Sequence, residues 1–331
     1  MKKLTVLFFV IFLLSSYGTK AQVNNKPSVG KSLIHFTVNV NTIFPDCKGT
    51  TLAMQDTVKI VTDNGVLMLP EPYSEKGKPT RLIIACHGAG GGVTPTGSQL
   101  ESGTTSKYLV SLGYAVMDMN GLAIENIGGP IAMQCYLKGY HWVLDHYNIK
   151  KDGVFITGGS MGGVTSNNLV YFGSLPVLAQ AAFCPLLDIY SGGWMHPWYK
   201  TTRTEIAHWY NFDGYVEGQP YKGDYQPEKV KGFNPVLNRT IEISGTKYKI
   251  HPVPYKVWQA NGDPMVSYQT TKDYITWIRN AGGYAELRTF DAVSHEPQDL
   301  GPDVGTFIYQ GKEYKLKPAV KELALWFDRF N

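Results

Sequence analysis

The stretch Val154-Phe155-Ile156-Thr157-Gly158-Gly159-Ser160-Met161-Gly162-Gly163 carries a short β-rich run into a glycine cluster around one serine, and Val164-Thr165-Ser166-Asn167-Asn168-Leu169-Val170 follows. It reads as strand, sharp turn, helix. Gly158-x-Ser160-x-Gly162 fits the nucleophile elbow, in which the serine takes a strained backbone position and its small neighbours let strand and helix approach closely. The hydroxyl then projects above the sheet at a helix N-terminus. There the N–H of Met161 and the helix dipole both favour negative charge on an attacked carbonyl oxygen. In a chain with 35 glycines the pentapeptide by itself also fits a plain tight turn with a buried serine. The decision rests on whether a base, an acid and a second N–H donor follow in suitable places.

The chain has 331 residues, 43% of them hydrophobic, which allows one large α/β domain with an insertion or two small domains. Met1-Lys2-Lys3, an apolar run from Leu4 to Leu14, and Thr19-Lys20-Ala21 have the three zones of a secretory signal peptide over residues 1–21. The apolar run of about 11 residues falls short of the ~20 that a membrane span needs. A secreted or periplasmic protein spanning 22–331, with no stable membrane insertion, is the expectation. Loss of Lys2, Lys3 and Lys20 takes the formal charge from +4 to +1, which gives no reason to expect nucleic acid as a partner. Cys47, Cys86, Cys135 and Cys184 allow three pairings, although Cys86 and Cys184 each end an apolar run and fit buried free thiols equally well. Neither Cys-x-x-Cys nor His-Glu-x-x-His occurs, so no metal and no cofactor is expected.

Near the start of the mature chain, Ile34 to Val40 and Val58 to Thr62 alternate apolar with polar residues, and Val66 to Leu69 follows Asn64-Gly65. This predicts antiparallel strands with a turn at Asn64-Gly65. Leu82-Ile83-Ile84-Ala85-Cys86 is continuously apolar, as a strand covered on both faces should be, and ends in His87-Gly88-Ala89-Gly90-Gly91-Gly92. Strands and helices then alternate. Helices are predicted near Ser98–Leu112, Ile131–Tyr147, Thr270–Asn280 and Ala319–Phe330, and strands at Tyr114–Asp118, before Ser160, at Ala179–Cys184, Val253–Trp258 and Tyr284–Phe290. The rhythm predicts an α/β fold with a mainly parallel central sheet and helices on both faces.

Residues from about 190 to 250 interrupt this rhythm after the sixth strand. Ten aromatics fall in the 36 positions from Tyr190 to Tyr225, against 13% for the whole chain. Such a cap needs a small core of its own. Rings such as Trp194, Trp198 and Trp209 also suit the lining of a site for sugar or aryl groups.

A serine nucleophile needs a base, and of eight histidines His295 is best placed, in Asp291-Ala292-Val293-Ser294-His295-Glu296 after the last strand. His141 and His146 fall inside a helix, His196, His208 and His251 in or beside the insertion, His35 in an edge strand and His87 in the glycine loop. Asp263, in Asn261-Gly262-Asp263-Pro264-Met265-Val266, fits the acid that orients the base, although a loop carboxylate before a helix can be a simple cap. Asp188 is the second candidate acid, and Asp118 is less well placed.

The order Ser160, Asp263, His295, each just after its own strand, resembles the α/β-hydrolase fold family from about residue 55 to the end. The resemblance implies an α/β-hydrolase fold with a Ser-His-Asp triad. Its oxyanion hole would be formed by the N–H groups of Met161 and Ala89, or of Gly90 if the loop is set one residue differently. No Gly-x-x-x-x-Gly-Lys is present to favour phosphate binding. Gly-Gly-Ser-x-Gly-Gly is similar to secreted esterases and to the catalytic domains of the prolyl oligopeptidase class. Those peptidases carry a β-propeller, and about 60 residues before the first core strand is too few for four blades of ~40 residues each. Hydrolysis of small-molecule or glycan-linked esters, acetyl or feruloyl-type, is therefore expected ahead of peptide cleavage. Acyl transfer to an added alcohol and a non-catalytic binding protein on the same scaffold are the other readings.

Overall fold

The computed structural model describes residues 32–41, 60–95, 97–237 and 251–331, with the backbone alone of 43–45, 51–53, 241–243 and 246–248. The expected leader and Cys47 lie outside the described residues. Eight strands form the central sheet: β1 (Leu33–Asn41), β2 (Ile60–Met68), β3 (Leu82–Cys86), β4 (Ala115–Met119), β5 (Val154–Gly159), β6 (Val177–Phe183), β7 (Tyr255–Ala260) and β8 (Ala285–Phe290). Their spatial order is β1-β2-β4-β3-β5-β6-β7-β8. β2 runs antiparallel to both β1 and β4, and every pairing from β4 to β8 is parallel.

The helices cover both faces because the central strands are apolar on both. Along β5, Val154 and Ile156 face the cluster that holds Ile131, Tyr136, Val164 and Leu169. These belong to α2 (Pro130–His146) and α3 (Gly162–Phe172). Phe155 points the other way, into the cluster of Leu109, Val110, Leu323 and Phe327 from α1 (Thr104–Ser111) and α6 (Pro318–Asp328). On β7, Tyr255 and Val257 pack with Tyr274 and Ile278 of α5 (Tyr268–Asn280), while Trp258 faces α6 and donates its indole N–H to Glu322 at 2.9 Å. This alternation is the period-two register of a strand buried on both sides.

Asn64-Gly65 is not a turn. β2 continues straight through it, and Gly65 pairs with Phe36 across to β1. A Cβ at Gly65 would stand 2.4 Å from the Phe36 ring and 2.6 Å from Met119 Sδ, so the glycine is there for close packing. Phe36 in turn stacks on Trp142 of α2, with ring centroids 4.1 Å apart. The helix predicted at Ser98–Leu112 is broken at Gly103 into Gln99–Ser102 and α1.

The segment between β6 and β7 contains a π-helical turn (Tyr190–Trp194) and α4 (Thr202–Trp209). Trp194, Phe212, Tyr221 and Tyr225 pack ring against ring. Ile206, Trp209, Tyr210 and Phe233 join the same cluster as Ile131 and Val164, so these aromatics extend the core under α2 and α3 and do not form a separate one. Cys86, Cys135 and Cys184 are buried and free, so none of the three pairs with another. No helix among the described residues is long and apolar enough to cross a membrane.

Gly65→Val should destabilise the protein by about 1–3 kcal/mol, the usual cost of overpacking a filled site. Chemical denaturation checks this, and an unchanged midpoint would show that Phe36 can move aside freely.

Candidate active site

β5 passes into α3 through Ser160, whose φ of 52° lies in the left-handed region. A non-glycine residue there costs roughly 1–2 kcal/mol. The position is held by three backbone hydrogen bonds: Ser160 N–H to Phe183 O at 3.0 Å, and N–H donors of Leu186 at 2.7 Å and Gly163 at 2.8 Å to Ser160 O. At about 1 kcal/mol net each, they outweigh the strain. The turn closes only because its flanks lack side chains. A Cβ at Gly158 would lie 2.2 Å from Gly162 O, and one at Gly162 would lie 2.0 Å from Cys86 O at the end of β3.

The loops after β7 and β8 bring Asp263 and His295 to this serine. His295 Nε2 lies 2.8 Å from Ser160 Oγ, and its Nδ1 lies 2.9 and 3.1 Å from the two oxygens of Asp263. The Asp263 side chain is fully buried and also accepts from the backbone N–H groups of Met265 and Val266 and from Gln259 Nε2. A carboxylate bound by so many donors is fixed in direction. This arrangement can draw a proton from the serine hydroxyl to Nε2 while Asp263 stabilises the imidazolium.

Asp188 is occupied elsewhere, accepting from Ser191 Oγ at 2.7 Å and Asn234 Nδ2 at 2.8 Å at the start of the π-helical turn. Asp118 is a buried residue of β4 and accepts from Tyr136 Oη at 2.6 Å, and burial raises its carboxyl above the usual range.

The loop after β3 runs beside the elbow. A Cβ at Gly88 would touch Ser160 Cβ and Gly159 O, each at 3.4 Å. Gly90 N–H donates to Ile124 O at 3.1 Å and Gly91 N–H to Gly88 O at 3.0 Å. Gly90 is thus committed, whereas the N–H groups of Ala89 and Met161 have no hydrogen-bond partner among the described residues. His87 is buried at the root of the loop, 3.2 Å from Asn126 Nδ2, and Asn126 Oδ1 accepts from Gly128 N–H and Thr165 Oγ1. These contacts fix the loop to α3.

Trp194 and Trp209 are only 8% and 6% exposed, so their rings serve packing. Trp209 donates its indole N–H to Glu205 at 3.0 Å, and the Arg203 guanidinium sits 5.6 Å over Trp194. Trp198 is half-buried between two core clusters. The ring that reaches the glycine loop is the next one along. Tyr199 is 46% exposed, and its hydroxyl would meet a Cβ built on Gly90 at 2.6 Å. In an aromatic run, sequence does not show which ring faces the loop. Cys184 was also hidden as a site neighbour: its thiol donates to His295 O at 2.8 Å. With Asp263 and His295 it makes the one group of three metal-ligating side chains found among the described residues.

The strand order, the antiparallel β2, and side chains delivered from the ends of β5, β7 and β8 define the α/β-hydrolase fold. No protein-family model and no curated protein matches the chain. Solved structures of serine hydrolases share the fold. Fluorophosphonate-binding serine hydrolase F of Staphylococcus aureus is 13% identical, with 89% of this chain and 98% of that one covered at a TM-score of 0.56. Esterase 2 of Thermogutta terrifontis is 14% identical, with 82% and 89% covered at 0.51. The acylaminoacyl peptidase of Pyrococcus horikoshii is 14% identical at 0.51, with 78% of this chain covered, and the chain spans 38% of that enzyme's length.

Two substitutions separate the tight glycine from the roomy one. Nothing but Phe183 O, at 3.9 Å, lies near a Cβ on Gly159, so Gly159→Ala should fold normally. Gly162→Ala should lose about 3 kcal/mol or more in urea denaturation, because backbone must move. Equal midpoints would contradict the packing described.

Proposed function

We propose that the chain is a serine hydrolase that cleaves carboxylic esters through an acyl-enzyme. The observation that carries this is His295 bridging Ser160 Oγ on one nitrogen and Asp263 on the other. In this mechanism His295 takes the Ser160 proton as the oxygen attacks the ester carbonyl, and Asp263 holds the imidazolium. The free N–H groups of Met161 and Ala89 receive the oxyanion. The alcohol leaves with the proton from Nε2, and water repeats the sequence to release the acid.

Ester cleavage is favoured over peptide cleavage by the near full-length match to a serine hydrolase and to an esterase of similar size. The acylaminoacyl peptidase matches over a smaller share of its own length. We extend the proposal to an exported enzyme, freed from its leader after Ala21, that removes acetyl or feruloyl-type groups from glycans. The exposed Tyr199 ring beside the glycine loop supports an aryl or sugar contact there, with the half-buried Trp198 next to it in sequence.

Turnover of p-nitrophenyl acetate, feruloyl and prolyl-amide reporters tests the reading. Acyl esters should be cleaved fastest, and Ser160→Ala should abolish turnover while the protein stays folded. Asp263→Asn should lower kcat by roughly 10⁴-fold, as when the orienting acid of such a triad is lost. Asp188→Asn should retain most activity. Faster cleavage of the amides would transfer the assignment to a peptidase, and full activity in Ser160→Ala would end it.

A further inference from the structure

Cys184 lies against the Ser160–His295 pair without a part in the proposed chemistry. It follows β6 with φ of 38°, and its N–H donates to Trp258 O at 2.8 Å, so its backbone is fixed to β7. Its Sγ lies 4.0 Å from His295 Nε2 as well as bonding the His295 carbonyl. One ligand atom each from Cys184, Asp263 and His295 fall within 4.8 Å of one another, and no other set of three does so among the described residues.

We propose that these three side chains form a site for a thiophilic divalent cation, Zn²⁺ or Cd²⁺, whose binding switches the hydrolase off. Thiolate, imidazole and carboxylate are the ligand types such ions take. The charges also balance, since one thiolate and one carboxylate neutralise a divalent cation in a buried place, with the neutral imidazole as third ligand. Bond lengths of about 2.0–2.3 Å put ligand atoms in a tetrahedral shell roughly 3.2–3.8 Å apart. Nδ1 and Asp263 Oδ1 are already 2.9 Å apart, and the Cys184 thiol has to leave the His295 carbonyl and turn toward this pair. His295, 17% exposed at its side chain, provides the entry.

The exchange balances as follows. The cation takes the place of the Nδ1 proton between His295 and Asp263, and that proton passes to Nε2. The Cys184 thiol proton leaves to solvent, so one proton is released per ion bound. An Nε2 that carries a proton cannot accept another from Ser160, and hydrolysis stops. The binding half of the proposal stands on geometry alone, and the inhibitory half rests on the hydrolase reading above.

The test is a titration of the whole protein with Cd²⁺, reading the ultraviolet thiolate-to-cadmium charge-transfer band and ester turnover on the same samples. The wild type should gain a band equivalent to one ion above that of Cys184→Ala, lose turnover in step, and recover both with EDTA. Cys184→Ala should need about 100-fold or more Cd²⁺ for the same fractional inhibition, given that even outer partners of a metal are worth roughly 10–100-fold in affinity. Cys184→Ser gives the same comparison if the alanine variant does not fold. Ser160→Ala should keep the band, which separates the two readings: a band without turnover in the wild type keeps the site and removes the hydrolase. Equal bands in wild type and Cys184 variants, or unchanged turnover with the band saturated, would overturn the proposal.

Discussion

Everything at this site depends on how closely the first turn of α3 approaches the end of β3. Gly162 lies against the Cys86 carbonyl with no room for a methyl group, and Gly158 lies equally close to Gly162. That approach places Ser160 at the tip of a turn, in backbone geometry that an unsupported chain would relax. Three hydrogen bonds from the β6 end and from α3 hold it there. Strain is thus offset locally, and the hydroxyl is presented without side chains of the turn in its way.

Around this point the sheet acts as a ruler. β5, β7 and β8 are parallel, so their C-terminal ends fall on one edge, and the loops leaving that edge carry Ser160, Asp263 and His295. Residues distant in sequence reach hydrogen-bonding distance because the strands between them are in register. The glycine loop after β3 leaves the same edge beside the elbow. Its Gly90 N–H is tied to Ile124 O, while Ala89 N–H is left free next to that of Met161. The buried His87–Asn126–Thr165 contacts keep the loop from drifting.

The parts of this arrangement that are legible in the sequence are those fixed by local chemistry. Largely apolar runs mark β3, β5 and β6, and the glycine spacing around Ser160 marks the elbow. The order of Ser160, Asp263 and His295 shows which loops meet, because a parallel α/β sheet sends alternate connections to one edge. What sequence conceals is set by contacts across the chain. Asn64-Gly65 has turn composition, yet the Phe36 ring from β1 requires glycine inside a strand. The aromatics after β6 read equally as packing or binding groups. Only their burial shows that Trp194 and Trp209 are core while Tyr199 stands at the glycine loop. Cys184 looks like the last residue of an apolar strand, and nothing in its neighbours discloses the His295 carbonyl it bonds.

The central claim is that His295 makes the hydroxyl of Ser160 nucleophilic. Mass mapping of peptides after treatment with a fluorophosphonate probe tests it directly, since the probe bonds only to an activated oxygen. The account predicts a single adduct on Ser160 that forms rapidly in the wild type and is nearly lost in His295→Ala. An adduct on a different residue, or equal labelling of Ser160 with and without the imidazole, would contradict it.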